Sequence, residues 1–468
     1  MDAFGREYGW RAVTLFTALF VAAPLSVIFL SHLRPEPEIW QHMADNLLAE
    51  LVINTVVLAG GVVTLTGILG VGLAWLTAVC DFPGRRVFDW ALLLPLAMPA
   101  YVLAFVFLGV FDFSGPLQHL AGRIWPSAAH AWPDIRGAGG IIVVLALALY
   151  PYVYLLARNA FLTQGRRALE AAQSLGVSRR RAFFRVALPM ARPWIAGGLV
   201  LVLMETLADF GAVSVFNYNT FTMAIYEAWF GFFSLDAAAQ LSSILVLIVL
   251  AVLTLEQHAR QGQRYTQSGK TSPETLRIRL SGGQRIAAFL FSGSVLAMGF
   301  IIPFIQLGIW SVQVFEEEFR RGYLNLLGHS LFLSGAAALA VIGLSLILVY
   351  AGRQHPDRFT RLLIRLSVMG YAIPGTVLAV GMVIVIAFMD NVAVSWAERL
   401  FGRSPAPFIQ GTVIVMIAAY LVRFMAAGYN ALHSAMHRIP PSIDEAARTL
   451  GVKGFSLLRR VHIPILRG

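Results

Sequence analysis

Glu205 and Asp209 lie four positions apart inside an otherwise apolar run. Carboxylates at that spacing share one face of a helix, and ionisable groups within a bilayer are costly enough to suggest a function. The pair can line a cation route, or it can be a structural lock on Arg158, Arg423 or freed backbone donors. Other chemistry is sparse. The ten His are dispersed, with His119 and His130 in the loop 112–138, and no pair is read at a metal-binding spacing, so no metal site is expected. The single cysteine, Cys80, allows no disulfide within the chain. A membrane enzyme would need a nucleophile, an acid-base pair or a metal cluster at a membrane face, and nothing beyond Glu205 and Asp209 qualifies.

The elements that position these residues are membrane spans. The 468 residues are 58% hydrophobic and 13% charged, against roughly a quarter charged in soluble domains. Ten apolar runs approach the roughly 20 residues a helix needs to cross a bilayer: 12–31, 52–79, 88–111, 140–163, 194–214, 240–256, 285–312, 327–350, 366–389 and 409–432. The first is expected to be a retained span rather than a cleaved signal, having no small-x-small cleavage site. With Met1 inside, 27 of the 36 Lys and Arg fall in loops on the cytoplasmic side, the asymmetry of the positive-inside rule. The net charge of +11 therefore reports topology, and no nucleic-acid partner is implied.

The chain carries the same polar insert twice. Glu170, Ala171 and Ala172, followed by Gly176 and Pro189, recur as Glu445, Ala446, Ala447, Gly451 and Pro464, at a constant offset of 275 (445 − 170). The offset also takes Pro99 to Pro374, Leu103 to Leu378 and Asn54 to His329, so the repeat covers whole helices. Each insert reads as a short cytoplasmic helix, a turn at a Gly able to take positive φ, and a basic stretch that re-enters the membrane at a proline. Pro99 and Pro374 free backbone carbonyls and kink membrane helices, which is tolerated where the kink lines a cavity or is covered by neighbours; a kink beside a substrate path and a structural bend are both open. Six helices separate equivalent points, so the repeat is parallel. That argues against a secondary transporter built from inverted repeats.

The polar stretch 258–284 holds two near-motifs. Ser268-Gly269-Lys270-Thr271 resembles the end of a P-loop, but Arg264 occupies the required earlier Gly position. Leu280 to Arg285 spells an ABC ATPase signature, yet the few residues between the two stretches cannot hold a βαβ unit. The chain is expected to have no nucleotide site of its own.

Glu-Ala-Ala with the following Gly and Pro, present twice at fixed spacing, resembles the cytoplasmic-loop motif of binding-protein-dependent ABC importer permeases of the type I fold. The resemblance implies that each insert is a coupling helix seated in a groove of an ATPase subunit, a role carried to Glu170, Ala171, Ala172 and Gly176 and to Glu445, Ala446, Ala447 and Gly451. The stretch Met204 to Val213, with Thr220-Phe221-Thr222, Ile225-Tyr226 and Ala228 to Gly231, is similar to the ferric iron permeases; thiamine permeases share the fused layout and are the nearest rival. The resemblance implies two copies of a cytoplasmic ABC ATPase that bind the ATP, a periplasmic substrate-binding protein, and no cofactor held by the chain itself.

The expected protein is thus an all-α, polytopic protein of a bacterial inner membrane, with cytoplasmic coupling loops and two parallel six-helix permease repeats. The expected layout is a leading helix and periplasmic loop in 1–49, a first permease domain in 50–257 and a linker in 258–284. A leading helix of the second half in 285–324 and a second domain in 325–468, truncated after its coupling loop, complete it. Glu205, Asp209, Pro99 and Pro374 are the expected pathway residues.

Overall fold

The structure is a computed structural model, and it describes every residue except 1, 34–36, 112–114, 125–134, 166–175, 261–276, 321, 403–405, 453 and 467–468. The principal helices are, in chain order, α1 (Asp2–Leu30), α2 (Leu48–Val79), α3 (Arg85–Ala91), α4 (Ala100–Phe111), α5 (Ala138–Ala160), α6 (Leu188–Ala208), α7 (Gly211–Val215) and α8 (Leu235–Arg260). They continue with α9 (Gly283–Leu296), α10 (Ile302–Arg320), α11 (Tyr323–Gln354), α12 (Arg358–Ser367), α13 (Gly375–Phe401), α14 (Val413–Met436) and α15 (Pro441–Thr449). A short parallel strand pair, β1 (Cys80–Asp81) with β2 (Ile278–Arg279), is the one sheet among the described residues. Ten helical segments there are long and apolar enough to cross a membrane. The chain is an all-α, multi-pass membrane protein.

The chain divides into two compact units, one of Met1–Glu36, Ile225–Val246 and Glu318–Gly468, the other of Pro37–Ala224 and Leu247–Glu317. The helix that leads each half is therefore grouped with the other half, a partition different from the consecutive domains expected above. In the first unit α1 packs on α12 and α13, approaching so closely that a Cβ added to Gly381 would lie 2.5 Å from the carbonyl oxygen of Pro24. In the second unit α9 packs on α3, and a Cβ on Gly109 would lie 2.6 Å from the ring of Trp310 on α10. Small residues at such crossings let backbones approach, which is how helices gain packing energy where lipid removes the hydrophobic drive between them.

Each unit holds a tight parallel helix contact built from the same sequence positions. In one, α2 crosses α5 where a Cβ on Gly70 would meet the Val153 Cβ at 2.7 Å. In the other, α11 crosses α14 where a Cβ on Gly428 would meet Ser345 Oγ at 2.7 Å. Position 345 corresponds to 70 and 428 to 153 at the offset of 275, so the small residue has moved to the opposite partner while the close crossing is kept. Helices α2 and α11 are both 32 residues long, and their first and last residues are separated by that same offset.

The run expected as one helix over 88–111 is instead broken. After α3 comes a 3-10 turn at Leu94–Ala97, then extended backbone at Met98, before α4 begins just past Pro99 at Ala100. The second half repeats this, with a 3-10 turn at Met369–Ala372, extended backbone at Ile373 and Pro374, and α13 from Gly375. Proline has no N–H to give the preceding turn and pushes the residue before it toward extended backbone, so each chain stops and restarts. The amides of Val102 and Leu103 donate to the Pro99 carbonyl, and that of Leu378 donates to the Pro374 carbonyl.

Candidate functional site

The second insert is described except at Lys453. Its helix α15 starts at Pro441 and ends at Thr449, and the chain turns at Gly451 with φ +79°. No atom lies within 4 Å of a Cβ built on Gly451, so glycine is required there for its backbone angle alone. A π-turn at Leu458–His462 then leads into Ile463–Leu466, with Pro464 supplying no N–H to continue the ladder. Glu445 and Ala446 are exposed, whereas Ala447 is buried. The paired alanines thus split, one facing out and one inward, instead of forming a single small-residue face. Beside the exposed pair stand Leu450, 81% exposed, and Phe455, 62% exposed, two apolar side chains that sequence reasoning did not single out.

A buried charge network fastens this insert. Arg353, at the end of α11, donates to both carboxylate oxygens of Asp444 at 2.7 and 3.1 Å and to the carbonyls of Met436, Ile439 and Pro440. His462 Nε2 lies 2.8 Å from Asp444 Oδ1, with its ring fully buried against Tyr350. The Tyr350 hydroxyl donates to the Gly454 carbonyl at 2.8 Å. Burial pushes the Asp444 carboxyl up, but the hydrogen bonds from Arg353 and His462 outweigh it and hold the group below the usual carboxylate range.

In the first insert, Glu170, Ala171 and Ala172 lie outside the described residues. Gly176 is described and turns with φ +76°, close to the angle of Gly451, again with nothing within 4 Å of an added Cβ. A π-turn at Phe183–Ala187 leads into α6 with Pro189 in its first turn. Trp75 of α2 packs edge-on to Phe161 and Phe183, with ring centroids 5.6 and 4.6 Å apart, and so ties together the strands of chain entering and leaving the insert.

Glu205 and Asp209 do not share a helical face. Helix α6 ends at Ala208, and Asp209 turns to extended backbone with φ −70° and ψ 127°. Its carboxylate caps the short helix α7, accepting from the amides of Ala212 and Val213 at 2.9 and 3.2 Å, while Thr222 Oγ1 donates to its carbonyl at 2.7 Å. A side-chain cap satisfies amides that the helix start would leave orphaned, so the lock on backbone donors is what forms. Glu205 is half-buried and has no hydrogen-bond partner among the described residues. Neither arginine meets these acids: Arg158 makes two bonds to Asp89 at 2.8 and 2.6 Å, and Arg423 donates to the Ile373 carbonyl over the Tyr371 ring.

The break at Pro99 and the break at Asp209 are neighbours, because a Cβ on Gly211 would lie 2.7 Å from that of Tyr101. Pro99 is exposed and Pro374 buried. In the same unit as Asp209, Glu50 accepts from Asn219 at 3.2 Å and Asn54 accepts from the Tyr218 hydroxyl at 3.3 Å. This polar cluster was legible only in part, through the place of Asn54 in the repeat. Among the described residues no group of three or more His, Cys, Asp and Glu could hold a metal ion. One His pair does have helix-face spacing, contrary to expectation: His433 and His437 lie four apart on one side of the chain, with Nε2 atoms 3.1 Å apart. Leu280 to Arg285 leads into α9, with Gly282 at φ +47° before the helix and the Leu280 amide donating to the carbonyl of Asp81. Ser268 to Thr271 lies outside the described residues.

Two units of broken spans, with Gly-turned inserts after α5 and α14, fit a type I ABC importer permease, the class that the similarities to known proteins support. Residues 68–266 match the family of binding-protein-dependent transport system inner membrane components. It is similar to the Fe(3+)-transport system permease protein FbpB 2 of Haemophilus influenzae, with 26% identity over 458 residues, 96% of this chain and 83% of that one. A putative ferric transport system permease protein, FbpB 1 of the same organism, is 22% identical over 97% of this chain and 73% of its own. The molybdate/tungstate permease WtpB of Thermococcus kodakarensis is 25% identical, with 93% of its length matched to 53% of this chain. Members of the family are membrane components that work with ATPase and substrate-binding proteins and are not themselves catalytic.

Proposed function

We propose that this chain is the membrane-spanning permease of an ATP-driven importer that takes ferric iron from a periplasmic binding protein. The observation that carries the reading is the pair of inserts, each turned by a positive-φ glycine and each re-entering through a π-turn and a proline. Elements recurring at the offset of 275 support two parallel halves, and the high-coverage likeness to ferric permeases supports iron as the substrate. Each insert seats in one of two copies of a cytoplasmic ABC ATPase, through Glu170, Ala171, Ala172 and Gly176 in the first and Glu445, Ala446 and Gly451 in the second, with Leu450 and Phe455 adding apolar contact and Ala447 packing inward. The charge asymmetry of the loops supports an orientation with both inserts in the cytoplasm of a bacterial inner membrane.

ATP is bound by the partner, and the chain holds no cofactor or metal of its own. Iron is substrate, passing the breaks at Pro99 and Pro374. Asp209 shapes that path by fixing α7, and Glu205, which has no hydrogen-bond partner among the described residues, is the side chain that meets the cation. The test is uptake of radiolabelled ferric iron by cells carrying the chain with its ATPase and binding protein. Uptake is expected to require the ATPase and to fall at least tenfold when Glu170 and Glu445 are both replaced by Ala. Uptake driven by an ion gradient alone would overturn the coupling; transport of thiamine or molybdate in place of iron would overturn the substrate.

A further inference from the structure

At the ends of α11 and α14, where two spans leave the bilayer, a cavity of about 470 Å³ opens against α12. Arg353, Arg361, Arg365, Tyr429, His433 and His437 line it, and no carboxylate does. Arg353 is matched by Asp444. Arg361 spends one weak bond, 3.4 Å, on the carbonyl of Asp357, while the carboxylate of Asp357 caps α12 and meets Arg11 at 3.6 Å. Arg365 has no hydrogen bond or ion pair among the described residues. Two guanidiniums and two imidazoles therefore face one cavity without a counter-charge. A metal ion held by His433 and His437 would sit among these cations, so the cavity favours an anion.

Helix α12 shows where that anion comes from. Thr360, Leu363, Ile364 and Ser367 are its buried face. Arg358, Arg361 and Arg365 form a second face, and between the two on the outer side Phe359 and Leu362 are 55% and 53% exposed. A basic flank beside an exposed apolar flank is the pattern of a helix lying in the membrane interface, and basic pockets at span ends take phospholipid headgroups. The matching place in the other unit is neutralised. There Asp89 stands for Ile364, Trp90 for Arg365 and Leu162 for His437, and Asp89 is consumed by Arg158.

We propose that this cavity binds the phosphate of an anionic phospholipid, with its acyl chains along Phe359 and Leu362. The proposal rests on the membrane reading of the chain and not on iron as substrate. The test uses the full chain purified in detergent, with native mass spectrometry and thermal unfolding during titration with phosphatidylglycerol, phosphatidylcholine or inorganic phosphate. Phosphatidylglycerol is expected to be retained preferentially. The R361Q/R365Q pair is expected to weaken that retention roughly 25-fold, at about fivefold per arginine, and R361K/R365K to keep it within about fivefold of the native chain. Should the Gln pair fail to fold, R365A alone is expected to lose about fivefold. Unchanged preference in the Gln pair or in R365A, or equal retention of phosphatidylcholine, overturns the site. Displacement of the lipid by inorganic phosphate at equal concentration overturns the lipid as occupant.

Discussion

The two inserts turn through nearly the same glycine angle, yet among the described residues the chain beside each is held by different chemistry. Where the first has Trp75 against Phe161 and Phe183, the second has Tyr350 at the position of Trp75, Arg353 at that of Ala78, Asp444 at that of Leu169 and His462 at that of Ala187. One fastening is a ring cluster, and the other is a buried ion pair with a buried imidazole. Apolar packing needs only volume and contact, whereas the ionic version needs every partner present, since a lone buried charge is costly. The comparison teaches that each half can hold its insert either way, and that the two inserts should fail differently.

The largest break is expected from Asp444→Ala, which strands Arg353 and His462. A loss of about 3–5 kcal/mol is typical when one partner of a buried pair is removed, read as a lowered thermal midpoint and faster proteolysis within 437–466. The all-apolar replacement R353M/D444L/H462A is expected to lie much nearer the native chain. If it were as damaged as Asp444→Ala, the two fastenings would not be interchangeable solutions.

Trp75→Ala is next, with a loss of about 3 kcal/mol from the emptied space between Phe161 and Phe183, measured by the same unfolding assay. Acid should then separate the loops. Asp444 is held below the usual carboxylate range, so its contribution is complete above the ordinary unfolded value of roughly 3.9 and is lost as pH falls through the lower folded value. Proteolysis followed down through pH 4 is expected to release the second insert while the region around Trp75 holds; simultaneous release would refute an ionic fastening. The mildest effect belongs to Gly176→Ala and Gly451→Ala, at about 1–2 kcal/mol each for a left-handed angle. Since a Cβ meets nothing at either site, the two losses should match, and a large difference would show that one turn carries a further constraint.

Much of the molecule was legible before any coordinates. Ten spans follow from run lengths, because a bilayer demands about 20 apolar residues in a row. The glycine turns at 176 and 451 follow from the spacing of the inserts, and a kink at Pro99 and Pro374 follows from a residue that cannot donate an amide, although the full break found there does not. These are local properties, written within a few neighbouring residues. The helix face assumed for Glu205 and Asp209 failed because the fold ends α6 at Ala208 and uses Asp209 to cap the next turn. The His433–His437 pair was present in the spacing and went unread.

Only the tertiary structure decided the rest. That each leading helix is grouped with the opposite half depends on contacts such as Gly381 with Pro24, which no hydropathy pattern encodes. The anchoring of the second insert joins Arg353 to Asp444 across 91 positions and His462 to Asp444 across 18, and each side chain alone reads as an ordinary cytoplasmic charge. Amino-acid order determined where this chain enters the membrane and where it turns, because those are set by local solvation and backbone angle. Which buried polar groups find one another was settled by folding, because that depends on distant segments meeting in space.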